Sequence, residues 1–185
     1  MRSQVWWYVA RSGGIVSWAL ASLAVIGGLQ LSTRLLRRPA PAWMLDVHRF
    51  LGGLAVVFLG IHLLGLAVDQ YIGFGAADFL VPLASSYEPA AVGLGVVGMY
   101  LLLAVELTSL AMRKLPRSTW HAVHLSSYVI FVVATVHGLT AGTDRHNVVF
   151  QWACLLTAGL VLMMTLVRVW SPRRRARAAP ATGND

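Results

Sequence analysis

His48-Arg49-Phe50-Leu51-Gly52-Gly53, continuing through apolar residues to His62, and Trp120-His121-Ala122-Val123-His124, continuing likewise to His137, are the stretches on which the reading of this chain turns. Each sets two histidines about one membrane leaflet apart inside an apolar run. Imidazole is costly in hydrocarbon unless it has a partner, so a histidine in such a run is by default a functional candidate. A single one is more often a hydrogen-bonded packing residue. Four at matched positions argue against that bland reading.

The rest of the chain supplies the medium these histidines sit in. Of 185 residues 57% are hydrophobic and 12% charged, which is too apolar for a soluble domain and too short for more than one bundle. The formal net charge of +8 does not point to nucleic acid, because the basic residues crowd into connections between apolar runs and into the C-terminal tail. Cytoplasmic segments of membrane proteins have that distribution. Cys154 is the single cysteine, which excludes an internal disulfide and a Cys-x-x-Cys-His thioether attachment of haem.

In chain order, residues 1–11 read as an N-terminal interfacial segment carrying Trp6-Trp7-Tyr8 and closed by Arg11. An apolar run from Ser12 to Thr33 is long enough for one crossing, and lacks the features of a cleaved signal peptide. Arg34, Arg37 and Arg38 with Pro39 and Pro41 form a connection expected on the cytoplasmic side. A second helix, about Trp43 to Val68, holds His48 and His62; the loop beyond it, to Pro89, has no Lys or Arg and is expected outside. Its apolar middle, Phe74 to Ala84, is too short to span and reads as interfacial or re-entrant. A third helix, Ala90 to Met112, ends at the basic Arg113, Lys114 and Arg117, and a fourth carries His124 and His137. A fifth, Val148 to Trp170, leads into a basic tail, 171–185, expected to be disordered and cytoplasmic. The N-terminus is then outside, residues 12–170 form the membrane unit, and lipid is its first partner. No internal repeat stands out beyond the two histidine helices.

This topology makes the histidine pairs interpretable. Helices two and four run parallel, and His48 and His124 lie at nearly equal distances from their starts. His62 follows His48 by fourteen residues and His137 follows His124 by thirteen, giving rises of ~21 and ~19.5 Å. Each level offers one imidazole from each helix, as six-coordinate iron requires, and two axial imidazoles favour electron transfer over oxygen binding. The expected fold is an all-α membrane bundle of about five helices with two non-covalent, bis-histidine b-type haems stacked between helices two and four. One spacing resists: fourteen residues return to within ~40° of the starting face, but thirteen fall ~140° away. A bulge or kink in the fourth helix, or approach from opposite flanks, would reconcile it.

The His-Arg-x-Leu-Gly stretch with His fourteen later, and Trp-x-x-x-His with His thirteen later, resemble the ferric reductase-like transmembrane domain, shared by ferric reductases, NADPH oxidases and the haem-binding membrane subunit of a sulfoxide reductase system. The resemblance covers roughly Ser12 to Trp170. It implies that His48 with His124 bind an inner haem and His62 with His137 an outer one. Against the family's usual pattern, a sixth helix at the front and a cytoplasmic flavin and nicotinamide domain are missing. The sulfoxide reductase subunit also lacks that domain, but its pattern keeps no histidine at the position of His48.

Among the remaining polar residues, Arg49, Arg113, Lys114 and Arg117 suit inner propionates or mark the cytoplasmic face, and Arg145 is the cation nearest the outer ones. Glu106 is expected to pair with a basic residue near the inner face; His121 and His146 read as interface and loop residues. The function expected is transmembrane electron transfer, from a cytoplasmic flavoprotein to an extracytoplasmic acceptor such as ferric iron or a flavoprotein. The alternatives are a haem-bearing anchor that takes electrons from quinol for a separate reductase subunit, and a haem-free transporter or structural bundle.

Overall fold

The computed structural model describes residues 2–33, 41–69 and 72–178. It is helical, with no strand among the described residues: α1 (Arg2–Thr33), α2 (Ala42–Val68), a short α3 (Ala76–Leu80), α4 (Pro89–Leu110), α5 (Arg117–Leu125), α6 (Ser127–Thr140), a 3₁₀ turn (Thr143–His146) and α7 (Val148–Ala178). Five segments are long and apolar enough to cross a membrane: Gln4–Thr33, Ala42–Val68, Pro89–Leu110, Arg117–Thr140 and Val148–Trp170. Large apolar side chains face outward all round, Leu110 and Val149 being more than three-quarters exposed. For a multi-pass membrane protein that surface meets lipid, and what must be satisfied internally is the backbone.

Local chemistry sets the helix starts. Pro89 opens α4 in its first turn, where a missing N–H costs nothing. Asn147 caps α7, its Oδ1 accepting from Val149 N at 2.9 Å and Phe150 N at 3.3 Å. The crossing expected from Ser12 belongs to a helix that already begins at Arg2 and includes the aromatic group; Arg11 lies over the Trp7 ring, 5.0 Å from its centroid. Similarly, α7 continues into the basic residues as far as Ala178. The arginine-proline connection of 34–40, Gln70 and Tyr71 of the outer loop, and the tail residues 179–185 lie outside the described residues.

The apolar middle of the long loop forms α3, too short to cross. The Tyr100 hydroxyl donates to Leu80 O at 2.8 Å, and Gly93 leaves room for the Leu83 backbone, which a Cβ would meet at 3.1 Å. Leu83 itself holds a positive φ of 69°.

α1 is the central helix: it packs along α2 and also touches α6 and α7, while α4 packs on α5 and α6. Leu29, Phe131, Val161 and Met164 form the apolar cluster joining α1, α6 and α7. Polar ties cross the bundle: Ser17 Oγ donates to Ala55 O at 2.9 Å, and Trp18 Nε1 donates to Thr135 Oγ1 at 2.9 Å. α2 and the α5–α6 unit, by contrast, do not pack closely on each other.

The fourth span is broken at Ser126, between α5 and α6. Ser126 N donates to Val123 O at 3.0 Å and its hydroxyl donates to the same carbonyl at 2.7 Å, a tightened turn in place of the α-helical one. A 3₁₀ turn advances ~120° per residue rather than ~100°. One such turn adds ~60°, so the break rotates His137 toward the face of His124 and supplies part of the ~140° that the thirteen-residue spacing leaves.

Candidate functional site

The four histidines face one another in two pairs across the gap between α2 and α5–α6. At the end of the bundle that carries Arg113, Lys114 and Arg117, the rings of His48 and His124 have centroids 5.9 Å apart at 67°. At the other end, beneath the long loop, those of His62 and His137 are 6.4 Å apart at 81°. All four are half-buried.

Three imidazoles are fixed by backbone carbonyls of the neighbouring helix. His62 Nδ1 donates to Ala10 O at 2.6 Å, His48 Nδ1 to Ala24 O at 2.9 Å, and His137 Nδ1 to Ala91 O at 2.7 Å. A carbonyl only accepts, so in each case Nδ1 carries the proton and Nε2 keeps its lone pair. Metal-bound histidines are characteristically oriented this way, one nitrogen donating to a carbonyl while the other ligates.

A glycine four residues after each of these alanines makes the approach possible. A Cβ on Gly14 would fall 2.9 Å from His62 Nδ1, one on Gly28 3.3 Å from His48 Cε1, and one on Gly95 2.7 Å from His137 Cε1. Backbone contact brings α1 and α2 equally close, since a Cβ on Gly65 would sit 2.6 Å from Ala10 N and one on Gly13 2.9 Å from His62 N. The three cradles share the pattern Ala-x-x-x-Gly, and on α1 it recurs after fourteen residues as Ala10-Arg-Ser-Gly-Gly14 and Ala24-Val-Ile-Gly-Gly28. That is an internal repeat, at the same interval as His48 and His62. It corrects the expectation that none exists outside the histidine helices.

The donor set fits a haem better than a bare ion. Among the described residues no three His, Cys, Asp or Glu side chains converge on one point, whereas a bare transition-metal site usually takes four protein ligands or three and a water. Two opposed imidazoles suit an iron whose other four positions a macrocycle already fills. With a nitrogen-to-metal distance of ~2 Å on each side, ring centroids would stand about 6.3 Å apart. Both observed separations lie within half an ångström of that value.

At the loop end the cleft is lined by Trp7, Arg11, Asp69 and Asp144 beyond His62 and His137. Arg11 forms a bidentate ion pair with the buried Asp144. Sequence reasoning missed Arg11 as a site residue, having placed it among interfacial anchors. Its partner is 133 residues away, and only the fold brings the two together. Arg145 is exposed and lies outside the lining; its Nε donates to His146 Nε2 at 3.2 Å. Arg49 is likewise exposed, at the opposite end of α2.

Glu106 forms no ion pair with a basic residue among the described residues. Its carboxylate lies instead against α2, where a Cβ on Gly52 would fall 2.9 Å from Oε2. The helical rise carries it past Gly52 and Gly53 rather than down to Arg113. His121 is exposed, beside Trp120.

The family model described as ferric reductase like transmembrane component matches residues 13–135. No curated protein and no solved structure matches the chain.

Proposed function

The chain belongs to the ferric reductase like transmembrane family, and from that premise we propose that it is a dihaem b-type cytochrome carrying electrons across the membrane. The family points to transmembrane electron transfer; the haem sites, the direction and the partners are our reading. In it, His48 and His124 hold the inner haem, His62 and His137 the outer one, and the haem-binding unit spans 12–170. The observation that carries the reading is the facing of the four imidazoles in two pairs, three of them with Nδ1 committed to a carbonyl and Nε2 left for iron. Bound there, haem would supply reversible one-electron chemistry.

The protein's own groups do the rest. Carbonyl acceptors fix ring orientation and raise ligand basicity, which favours the ferric state. Apolar helix faces exclude water from the space between the levels. Arg49 at the inner end and Arg145 at the outer are assigned to propionates, joined at the outer end by Arg11, whose place in the cleft lining supports that role. The basic end, with Arg113, Lys114 and Arg117, is assigned to the cytoplasm, the N-terminus to the outside and the tail to the cytoplasm. The site held by His48 and His124 would take electrons there from a separate flavoprotein, and the site held by His62 and His137 would pass them to an extracytoplasmic acceptor beneath the long loop.

The test is the visible spectrum of the purified chain with haem quantified per polypeptide. Two low-spin haems are expected. His48→Ala or His124→Ala should remove the inner one while sparing the outer, and His62→Ala or His137→Ala the reverse. A folded protein that binds no haem, or loses both haems equally in every variant, would overturn the assignment.

A further inference from the structure

His124 is the exception among the four imidazoles. Its Nδ1 is buried and has no hydrogen-bond partner. The other buried side-chain atoms without partners among the described residues are Asp69 Oδ1, at the far end of α2, Trp120 Nε1 and Ser109 Oγ. Trp120 stacks on His124, ring centroids 5.0 Å apart at 23°, but its indole N–H only donates. Of the buried, unpartnered atoms at this end, Ser109 Oγ alone can accept.

The repeat in the cradles points to the same residue. On α1, Ala10 and Gly14 serve His62, and fourteen residues on Ala24 and Gly28 serve His48. On α4, Ala91 and Gly95 serve His137, and fourteen residues on stand Val105 and Ser109. Serine thus occupies the place glycine holds in the other three cradles, on a helix that packs against α5. At those glycines a Cβ would crowd the imidazole, at 2.7 to 3.3 Å. By the same register the Cβ of Ser109 would fill the space that those glycines leave open, with its hydroxyl one bond further out.

Ser109 Oγ is the buried hydroxyl oxygen without a partner among the described residues. Ser22, Thr108, Thr135 and Thr165 each donate to the carbonyl four residues back, at 2.7 to 2.8 Å. Ser109 makes no such bond.

We infer that the Ser109 hydroxyl is the acceptor for His124 Nδ1–H, replacing with a side chain the backbone carbonyl that orients the other three histidines. Ser109 is then a positioning residue for the inner level. The inference rests on the reading of His124 as an axial ligand.

Ser109→Ala and Ser109→Gly in the full chain test it. Alanine keeps the Cβ and removes the acceptor, so inner-haem transfer to a soluble apo-globin should accelerate about tenfold. The inner midpoint potential should rise, because the ligand is less basic. Glycine removes the Cβ as well and opens the Val105 carbonyl to the ring, so both readouts should return toward wild type. Helix propensity alone gives the opposite order, with glycine the more damaging. An alanine variant indistinguishable from wild type, or a glycine variant that loses inner haem faster than alanine, would overturn the inference. Wild-type protein lacking an inner haem would overturn the ligand reading and this inference with it.

Discussion

Gly95→Ala isolates the cradle from every other property of the bundle. The added Cβ would lie 2.7 Å from His137 Cε1, 2.9 Å from Nδ1 and 3.2 Å from Nε2, and ordinary contact begins at 3.4 Å. The ring must withdraw by about 0.7 Å, because packed interiors do not absorb such an overlap elsewhere. Its bond to Ala91 O, now 2.7 Å, is then stretched or lost, at a cost of about 1 kcal/mol. The shift of the ligand adds strain of about 1–3 kcal/mol in a filled site. The sum, about 2–4 kcal/mol, corresponds to roughly a thirtyfold to nearly thousandfold loss of outer-haem affinity. Helix propensity works the other way, alanine favouring the helix over glycine by up to ~1 kcal/mol, so haem loss cannot be ascribed to a weakened α4. The assay is haem per chain and the reduced-minus-oxidised spectrum, with detergent melting as the measure of folding. The expected result is one haem retained, the inner, in a chain that melts no lower than apoprotein. A Gly95→Ala protein with two haems and an unchanged spectrum would refute the cradle argument.

The same arithmetic grades the other glycines: Gly14→Ala should cost the outer haem, Gly28→Ala should only weaken the inner one, and Gly60→Ala, with nothing within 4 Å, should leave both in place, as haem counts on the three variants will decide. Arg11→Ala strands the buried Asp144 carboxylate and should lower stability by about 2 kcal/mol. Arg11→Ala, Asp144→Ala should recover part of that loss in a thermal melt, and failure of the double variant to recover any would mean the pair is not coupled. For orientation, a cysteine replacing Asn147 should react with an impermeant thiol reagent in intact cells and one replacing Arg174 should not; the reverse pattern would invert the bundle. Nicotinamide cofactor added to the purified chain should leave the haems oxidised until a flavoprotein fraction is supplied, with a rate that falls as salt rises. Rapid reduction by the nicotinamide alone would contradict a separate donor.

What could be read from the sequence was what hydrophobic run length and residue type encode. The five spans, the non-spanning segment between α2 and α4, and the disturbance required between His124 and His137 all follow from helix rise and angular period, and each has its counterpart at Gln4–Thr33 through Val148–Trp170, at Ala76–Leu80 and at Ser126. The contribution of α1 was not legible in the same way. Its part is played by the Ala10 and Ala24 carbonyls, and a backbone group has no identity in a sequence. The recurrent Ala-x-x-Gly-Gly was the available signal, and it reads as ordinary small-residue helix packing until a partner histidine is seen against it. Arg11 was hidden for another reason: near the start of an aromatic-rich segment a cation reads as an interface anchor, and Asp144 lies on the far side of the chain's length.

Fourteen residues is within half a residue of four complete helical turns, so the carbonyls of Ala10 and Ala24 leave α1 in nearly the same direction at two depths. The chain therefore gauges the separation of its two histidine levels by counting residues, independently of what those residues are. Substitutions on the lipid face of α1 or α2 leave that gauge untouched. An insertion or deletion of one residue between Ala10 and Ala24 would swing one carbonyl through ~100° and silence its cradle, and only a compensating change between His48 and His62 could restore the match. Length between these points, more than side-chain identity, is the quantity the two helices must hold in common.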